Sequence, residues 1–447
     1  MGALKSGDTL RSVSGIHIVI EDLLGEGGQG YVYKVKYGGV TRALKWYKEA
    51  FLKGMIKRGK EKLFYKNLSD NADNGAPTKS FLWPEDVTEW SGSAEDQFGY
   101  IMEVRPAGFN ELTDYFMACD TGKSIFASDQ IMVRACINVI EGFRELHNKG
   151  YSYQDINNGN FFINFKTGDV FICDNDNVSC NKENFGIQGK QRYMAPEIVL
   201  GGSPDKYSDR FSLAVILFRI LFFRQHPFEG KYTCQAPCMT PDLEKRFYGE
   251  DPVFLFDPAD KRNAPDPYLN GAAIQLWPLY PDFIKELFLK TFCKDGIQNP
   301  AKRPVDSDWL EAFVLLEAEC GKCPKCGQEI FLDADKPITC SKCGTSLRAP
   351  YIVNVGKFRI PIIPDSLIPE YLVNPASGDC HGKMAKILRK KDPNNRETGI
   401  GNMSDKSWNV FYEDGTSKNV PPKGTAVINN NMKIQAGSVE LVLTRSK

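Results

Sequence analysis

Hydrophobic positions along this chain change their period twice. Between residues 16 and about 110, short runs rich in β-branched and aromatic residues ("IHIVIEDLL", "GYVYKVKYGG", "TRALKWYK", "GYIMEV") are separated by glycines and predict strands. One Lys-rich stretch between them, "KGMIKRGKEKLFYKNLSD", has helical spacing. From 111 to about 318, apolar residues recur three and four apart in "QIMVRACINVIEGFRELHNKG", "SDRFSLAVILFRILFF" and "YPDFIKELFLKTF", which predicts amphipathic helices. A small strand-rich lobe therefore precedes a larger helical one. Segments 70–97 and 230–275, rich in Asn, Gly, Asp and Pro, read as loops or insertions decorating this unit. After a cysteine cluster, "YIVNVGKFRIPII", "SWNVFYEDGTSKNV" and "SVELVL" alternate again, with turns at "EDG", "PPKG" and "AGS". They predict a small β-sandwich. No internal repeat is evident.

Length and charge narrow the class. At 447 residues the chain is long enough for two or three folding units, and 42% hydrophobic with 25% charged residues is a globular balance. Fifty-six basic residues against fifty-six acidic ones argue against a general nucleic-acid or anionic-membrane binder, so any bound anion is held locally. The opening "MGALKSGDTLRSVSG" has no signal-peptide core, and the longest apolar run, 211–223, is short for a membrane span and contains Arg219. These features predict a cytoplasmic protein. Met-Gly followed by Ser6 fits the short myristoylation pattern, which the composition, bacterial in character, does not favour.

Three local patterns carry chemistry. "LLGEGGQGYVYKV" places Gly25, Gly27 and Gly30 in G-x-G-x-x-G-x-V spacing with Val32, between strands rather than before a helix. Glycines there let backbone N–H groups approach phosphate oxygens. "TRALKWY" then sets Lys45 two residues after Ala43 inside an apolar strand, a costly place for a charge unless it is matched. A phosphate ligand answers that cost, with Glu61 on the following helix, or alternatively Glu49, as its acidic partner. "GYSYQDINNGNFFIN" holds Asp155 and Asn160 five apart after a helix, the spacing of a base and a metal ligand.

In this order the motifs resemble the eukaryotic-type (Hanks-type) protein-kinase fold, bacterial Ser/Thr-kinase-like, over residues 16–318. The rest of the set follows: "YIMEV" with Met102 before the hinge residues Glu103 and Val104, "FICDND" with Asp174, "YMAPE" with Glu197, "SDRFSLAVILF" with Asp209, and "PAKRP" with Arg303. The resemblance implies a small lobe over 16–104 after a lead at 1–15, and a large lobe over 105–318. It implies that Asp155 orients and deprotonates an acceptor hydroxyl, that Lys45 binds ATP phosphates, and that Asn160 and Asp174 hold Mg2+. Asp209 and Arg303 would be structural, with Arg303 pairing to Glu197.

Departures from the pattern are informative. Tyr153-Gln154-Asp155 stands for the usual H-R-D, which removes a docking charge for a phosphorylated activation loop. Asn157 replaces the lysine that neutralises the transferring phosphate. Asp174-Asn175-Asp176 stands for D-F-G, and Asp176 has two readings, a further magnesium contact or a solvent-facing carboxylate. Lys190 occupies the place of a threonine that would hydrogen-bond the catalytic Asp. It either restores from across the cleft the cation that Asn157 removes, or is a surface lysine.

Of thirteen cysteines five fall within 320–343, where Cys323, Cys326, Cys340 and Cys343 form two C-x-x-C-G knuckles. That spacing suits one structural Zn2+ in a zinc ribbon over 319–347, with Cys320 as a nearby spare thiol. The end of the chain, 348–447, resembles forkhead-associated domains loosely, without their opening Gly-Arg or S-x-x-H, so a β module for partner docking is the expectation. The expected architecture is thus an α+β two-lobed kinase fold, a zinc ribbon and an all-β sandwich. Its domain order is similar to that of bacterial kinases that work beside a phosphatase and a von Willebrand A-type protein. An ATP- and Mg2+-dependent protein kinase acting on a protein substrate is the leading expectation. A nucleotide-binding pseudokinase scaffold and a nucleotidyltransferase are the alternatives.

Overall fold

The computed structural model describes residues 3–93, 96–186, 189–389 and 397–446. The myristoylation pattern begins at Met1 and Gly2, outside the described residues. Strands β1 (Thr9–Arg11), β2 (His17–Glu26), β3 (Gly30–Tyr37) and β4 (Val40–Tyr47) follow one another, and two helices, α1 (Glu49–Lys57) and α2 (Glu61–Asn74), precede β5 (Asp86–Val87) and β6 (Gly99–Met102). The strands form one antiparallel sheet in the order β1-β2-β3-β4-β6-β5. The expected lead at 1–15 is therefore part of the lobe: Leu10 pairs with Ile18, and Leu4 and Leu10 pack on the Ile18 cluster. The Lys-rich stretch is helical as its spacing predicts, and it breaks at Gly59, whose φ is +64°.

Alternation along β4 divides the small-lobe core. Leu44 and Trp46 join Ile18, Ile20, Tyr33, Val35 and Ile101 on one face. Ala43 and Tyr47 join Leu52 and Met55 of α1, Phe64 and Leu68 of α2, and Tyr100 and Met102 of β6 on the other. Lys45 is in register with Val32 and Tyr100 and is 5% exposed. The close approach of β6 at this point requires Gly99, where a Cβ would lie 2.2 Å from the Lys45 carbonyl oxygen.

The larger lobe runs through β7 (Asn110–Glu111), α3 (Leu112–Asp120), α4 (Asp129–Asn148), β8 (Tyr151–Ser152), β9 (Phe161–Ile163), β10 (Val170–Ile172), β11 (Ser179–Cys180), α5 (Pro196–Val199) and α6 (Lys206–Leu221). Strands β10-β9-β7 form a small sheet and β8 pairs with β11, so the segment between β8 and β9 is held at both ends. Asp205 and Ser208 make a capping box that starts α6, worth about 1 kcal/mol. That helix is apolar nearly all round and buried accordingly. Segment 230–275, expected as loops, also carries short helices α7 (Pro241–Lys245) and α8 (Gly271–Leu276). Helices α9 (Asp282–Phe292), α10 (Lys294–Gln298) and α11 (Asp306–Glu319) complete the helical part.

The chain divides into two compact units, one of residues up to 125 with 138–266 and 290–303, the other of 126–137, 267–289 and everything from 304 onward. The expected boundary at 318/319 is thus not a break in packing, because α11 leads directly into β12 (Cys320–Lys322). Its Glu317 takes ion pairs from Arg134 and Lys383, both at 2.9 Å. After β12 come β13 (Glu329–Phe331), β14 (Ile338–Thr339) and β15 (Ser346–Leu347), paired as two small hairpins. The C-terminal region has two antiparallel sheets, of six and four strands. The first joins hairpin Tyr351–Val355/Phe358–Ile362 to Val439–Arg445, Met432–Ala436, Trp408–Phe411 and Ser417–Val420. The second contains Leu367–Pro369, Lys383–Arg389, Thr398–Asn402 and Thr425–Val427. Among the described residues no helix is long and apolar enough to cross a membrane.

Candidate active site

The glycine-rich turn between β2 and β3 and the end of β4 form the roof of a cavity of about 580 Å3. Gly25, Gly27, Gly30, Val32, Ala43 and Lys45 line it, as do Met102, Glu103 and Val104 at one side and Asp155, Gly159, Cys173 and Asp174 below. A Cβ at Gly25, Gly27 or Gly28 would meet nothing within 4 Å, so the turn is open on that side, and the Gly27 N–H closes it by donating to the Gly30 carbonyl at 2.9 Å. Of the residues expected to bind nucleotide, the structure brings all but Asn160 and Glu61 to the wall of this one cavity. Asn160 lies one residue beyond Gly159 and is buried, its amide nitrogen donating to the Asp155 carbonyl at 2.8 Å. Its amide oxygen is the group a cation would use.

Below the cavity, Asp155 sits in a loop fixed by hydrogen bonds. Asp209, on α6, accepts from the backbone N–H of Tyr153 at 2.6 Å and of Gln154 at 2.9 Å, and its Oδ2 is 3.3 Å from His147 Nε2. Gln154 has φ of +72°, a left-handed conformation costly for a residue with a side chain. Its Nε2 donates to Ser152 Oγ, Ser179 Oγ and the Glu183 carbonyl, while its Oε1 accepts from Asn184. A glutamine thus ties the catalytic loop to the segment after β11, where the family places an arginine. The Tyr153 hydroxyl donates to the carbonyl of Cys173, next to Asp174.

Asn157 is also committed to the loop. Its Nδ2 donates to Asp155 Oδ1 at 3.1 Å and to the Asp155 carbonyl at 3.0 Å, and its Oδ1 accepts from Gly159 N–H. Lys190 meets the same carboxylate through its backbone: its N–H donates to Asp155 Oδ1 at 3.1 Å. The Lys190 ammonium goes instead to Asn158 Oδ1 at 3.0 Å. Gly189, with φ of +92°, permits this approach, since a Cβ there would lie 3.0 Å from the Gln154 carbonyl oxygen. Burial raises the Asp155 carboxyl to about 6, the Asn157 amide opposing the rise and the Asp174 and Asp176 charges adding to it.

Lys45 departs most from expectation. Its ammonium lies 2.8 Å from Asp176 Oδ2, 3.2 Å from Asp174 Oδ1 and 3.2 Å from Gln29 Oε1. Burial lowers its pKa, yet the Asp174 and Asp176 charges outweigh this and leave it above the ordinary lysine value. Neither proposed glutamate is the partner. Glu49 pairs with Lys53 at 2.5 Å, and a carboxylate oxygen of Glu61 is buried without a hydrogen bond. Glu61 shares the helix face of Phe64 and Leu68, but the Lys45 ammonium is taken up by Asp174 and Asp176, and the Phe64 ring packs edge-on against Tyr47 beside them. Asp176 is neither solvent-facing nor turned to the cavity: it is fully buried, and Tyr47 Oη donates to it at 2.7 Å. Asp174 has φ of +52° and a half-exposed side chain at the cavity floor.

Two residues that sequence reasoning missed, Tyr47 and Gln29, carry weak signals at best. Tyr47 does share the face of β4 that bears Lys45, which period-two alternation exposes. Elsewhere in the same unit, Arg303 is fully buried and forks onto Glu197 at 2.7 and 2.8 Å.

In the second unit the four knuckle cysteines converge. Their Sγ atoms all lie within 4.8 Å of one another, with Cys323 to Cys343 and Cys326 to Cys340 both at 3.6 Å. Four sulfurs at about 2.3 Å around one tetrahedral zinc would be about 3.8 Å apart, close to these separations. Each knuckle closes by the same bonds: Gly327 N–H to the Cys323 carbonyl, and Gly344 N–H to the Cys340 carbonyl.

Comparison with known proteins agrees with this geometry. The family model of the protein kinase domain matches residues 18–247, more than half of the chain. Protein kinase YegI of Escherichia coli O157:H7 is 22% identical over 204 residues, which is 43% of this chain and 30% of that protein. The probable serine/threonine-protein kinase C70.05c of Schizosaccharomyces pombe is 31% identical over 101 residues, 20% of this chain and 13% of that one. Protein kinase C-like 1 of Candida albicans is 30% identical over 112 residues, 24% and 10% of the two chains. The chain spans less than a third of the length of these relatives. With a cavity of about 580 Å3 under a glycine-rich turn, a buried lysine, and Asp155 and Asp174 at its floor, and with the protein kinase domain model matched over more than half of its length, the chain belongs to the protein kinase family.

Proposed function

We propose that this protein is an ATP- and magnesium-dependent protein kinase that transfers the γ-phosphoryl group to a hydroxyl of a protein, on serine or threonine. One observation carries the reading: Lys45, Asp155 and Asp174 converge on a single cavity whose roof is an open glycine-rich turn. In this reading Met102, Glu103 and Val104 receive the base, and the glycine-rich turn of Gly25, Gly27 and Gly30 covers the phosphates. Lys45 orients those phosphates. Asn160 and Asp174 hold Mg2+, which when bound neutralises charge on the phosphate oxygens. Asp155 takes the proton of the acceptor hydroxyl, and Asn157 and the Lys190 backbone aim its carboxylate. With no lysine at 157, the activation segment brings the Lys190 ammonium to Asn158. The donor set suits the cation, since one half-exposed carboxylate and one amide oxygen are hard oxygen ligands.

Cys323, Cys326, Cys340 and Cys343 hold a structural Zn2+, and the two C-terminal sheets form a docking module in the cytoplasm. A partner phosphatase and a von Willebrand A-type protein rest on domain order alone. The test is incubation with γ-labelled and α-labelled ATP, comparing wild type with Asp155→Ala and Asp174→Ala. Label from the γ position that disappears in both variants supports the kinase. Label from the α position indicates nucleotidyl transfer, and no label with nucleotide bound indicates a scaffold.

A further inference from the structure

We propose that Asp176, and not an acid on helix α2, is the positioning residue that holds Lys45 in the phosphate site, so that this site is assembled by the segment carrying Asp174. The proposal rests on the kinase reading for its meaning but on independent geometry for its support. Asp176 is 0% exposed, and its Oδ2 receives both the Lys45 ammonium at 2.8 Å and the Tyr47 hydroxyl at 2.7 Å. A carboxylate buried this completely needs a paired charge, and Lys45 is the cation beside it, both bonds converging on Oδ2 while Oδ1 is buried without a hydrogen-bond partner. Glu61 lies on the same face of α2 as Phe64 and Leu68, but it makes no bond to Lys45: one of its carboxylate oxygens is buried without a hydrogen-bond partner.

Two further features follow from the same arrangement. Asp174 shares the lysine, at 3.2 Å from its Oδ1, while its half-exposed carboxylate still faces the cavity, where it can meet a cation. Helix α2 in turn is tied to this segment: Asn67 and Asn71 both donate to the Val178 carbonyl at 2.8 Å. Helix, lysine and metal-ligand segment are then one bonded unit. The usual division, in which a mobile helix supplies the acid, is replaced by an acid two residues from Asp174.

The test uses the full chain with Asp176→Asn, Asp176→Glu, Lys45→Met, Glu61→Gln and the double variant Lys45→Met/Asp176→Asn. Affinity for a fluorescent ATP analogue with Mg2+ and thermal melting without nucleotide are both read. Asp176→Asn is expected to weaken the nucleotide about tenfold or more, the effect of losing one charge-assisted hydrogen bond, and Asp176→Glu to recover part of it. The double variant should bind no more weakly than the worse single one and melt above Asp176→Asn alone, because it no longer buries an under-paired ammonium. Glu61→Gln should change neither. Additive losses in both assays, or a loss on Glu61→Gln as large as that on Asp176→Asn, would overturn the assignment. If no nucleotide binds at all, melting coupling alone decides. If nucleotide binds but no γ label is transferred, the kinase reading fails and this one stands.

Discussion

Replacing Asp209 by alanine tests whether the catalytic loop is held from α6. In the native protein Oδ2 and Oδ1 accept the backbone N–H groups of Tyr153 and Gln154 at 2.6 and 2.9 Å, and the carboxylate is 2% exposed. Alanine leaves two buried donors without an acceptor, each costing about 1–3 kcal/mol. It also releases Gln154 from a left-handed φ that itself costs about 1–3 kcal/mol, so part of the loss returns as the loop relaxes. The net expectation is a destabilisation of about 3 kcal/mol. Relaxation, however, moves Asp155, the next residue, so transfer should fall by far more than the stability loss explains. Urea unfolding followed by tryptophan fluorescence gives the first quantity, and γ-label transfer at saturating ATP, under conditions where the variant is folded, gives the second. Asparagine in place of alanine should sit between, since it keeps one acceptor and presents an N–H2 to the other amide. A stability loss below about 1 kcal/mol, or transfer that falls only in step with the folded fraction, would refute the reasoning.

Other consequences are more direct. Because burial holds Asp155 at about 6 and the base must be ionised, kcat/KM should rise with pH through about 6 and level off above it; a profile flat from pH 5 to 7 would exclude Asp155 as the base. Glu197→Ala leaves the buried Arg303 guanidinium with only the Gly296 and Tyr207 carbonyls and should destabilise by about 3 kcal/mol, with Arg303→Met in that background recovering part, read by urea unfolding. Lys190→Ala keeps the backbone donor to Asp155 but removes the cation at Asn158, so kcat should drop at least tenfold while nucleotide affinity holds; an unchanged kcat sinks the idea that this lysine substitutes for the one missing at 157. Cys340→Ser, or chelation, should lower the melting temperature of the second unit and abolish zinc content measured by elemental analysis, with little effect on nucleotide affinity.

Legibility in the sequence followed the range of the forces involved. The β4 strand, the helices with three- and four-residue spacing and the C-terminal hairpins announce themselves because burial of one face imposes a local period. The cysteine cluster was legible for the same reason, since C-x-x-C-G closes through bonds within five residues. The partner of Lys45 was not. Its choice depends on a segment 129 to 131 residues further along the chain that brings Asp174 and Asp176 beside it, whereas the sequence offers Glu61 on the nearby helix. Gln154 was legible as a departure but not as a clamp, because Ser179, Glu183 and Asn184 meet it only after the chain has folded back. The packing of α11 with the C-terminal strands was hidden likewise: Glu317 finds Lys383 across 66 residues of sequence.

The departures at 154, 157 and 176 form one electrostatic change rather than three losses. Replacing an arginine by Gln154 and a lysine by Asn157 removes two positive charges from the neighbourhood of Asp155, which by itself would favour its ionisation less. Asp176 adds a negative charge, but one neutralised locally by Lys45 at 2.8 Å. In exchange, fixed hydrogen bonds appear: Asn157 and the Lys190 N–H both donate to Asp155 Oδ1, which favours the charged form of the carboxylate. Such donors orient Asp155 without attracting a phosphate to it, whereas the lost lysine would have served both purposes. Orientation of Asp155 is therefore kept in this loop, and in the proposed kinase reading charge stabilisation of the transferring group would fall to bound Mg2+, to Lys45 and to the Lys190 ammonium that the activation segment brings to Asn158.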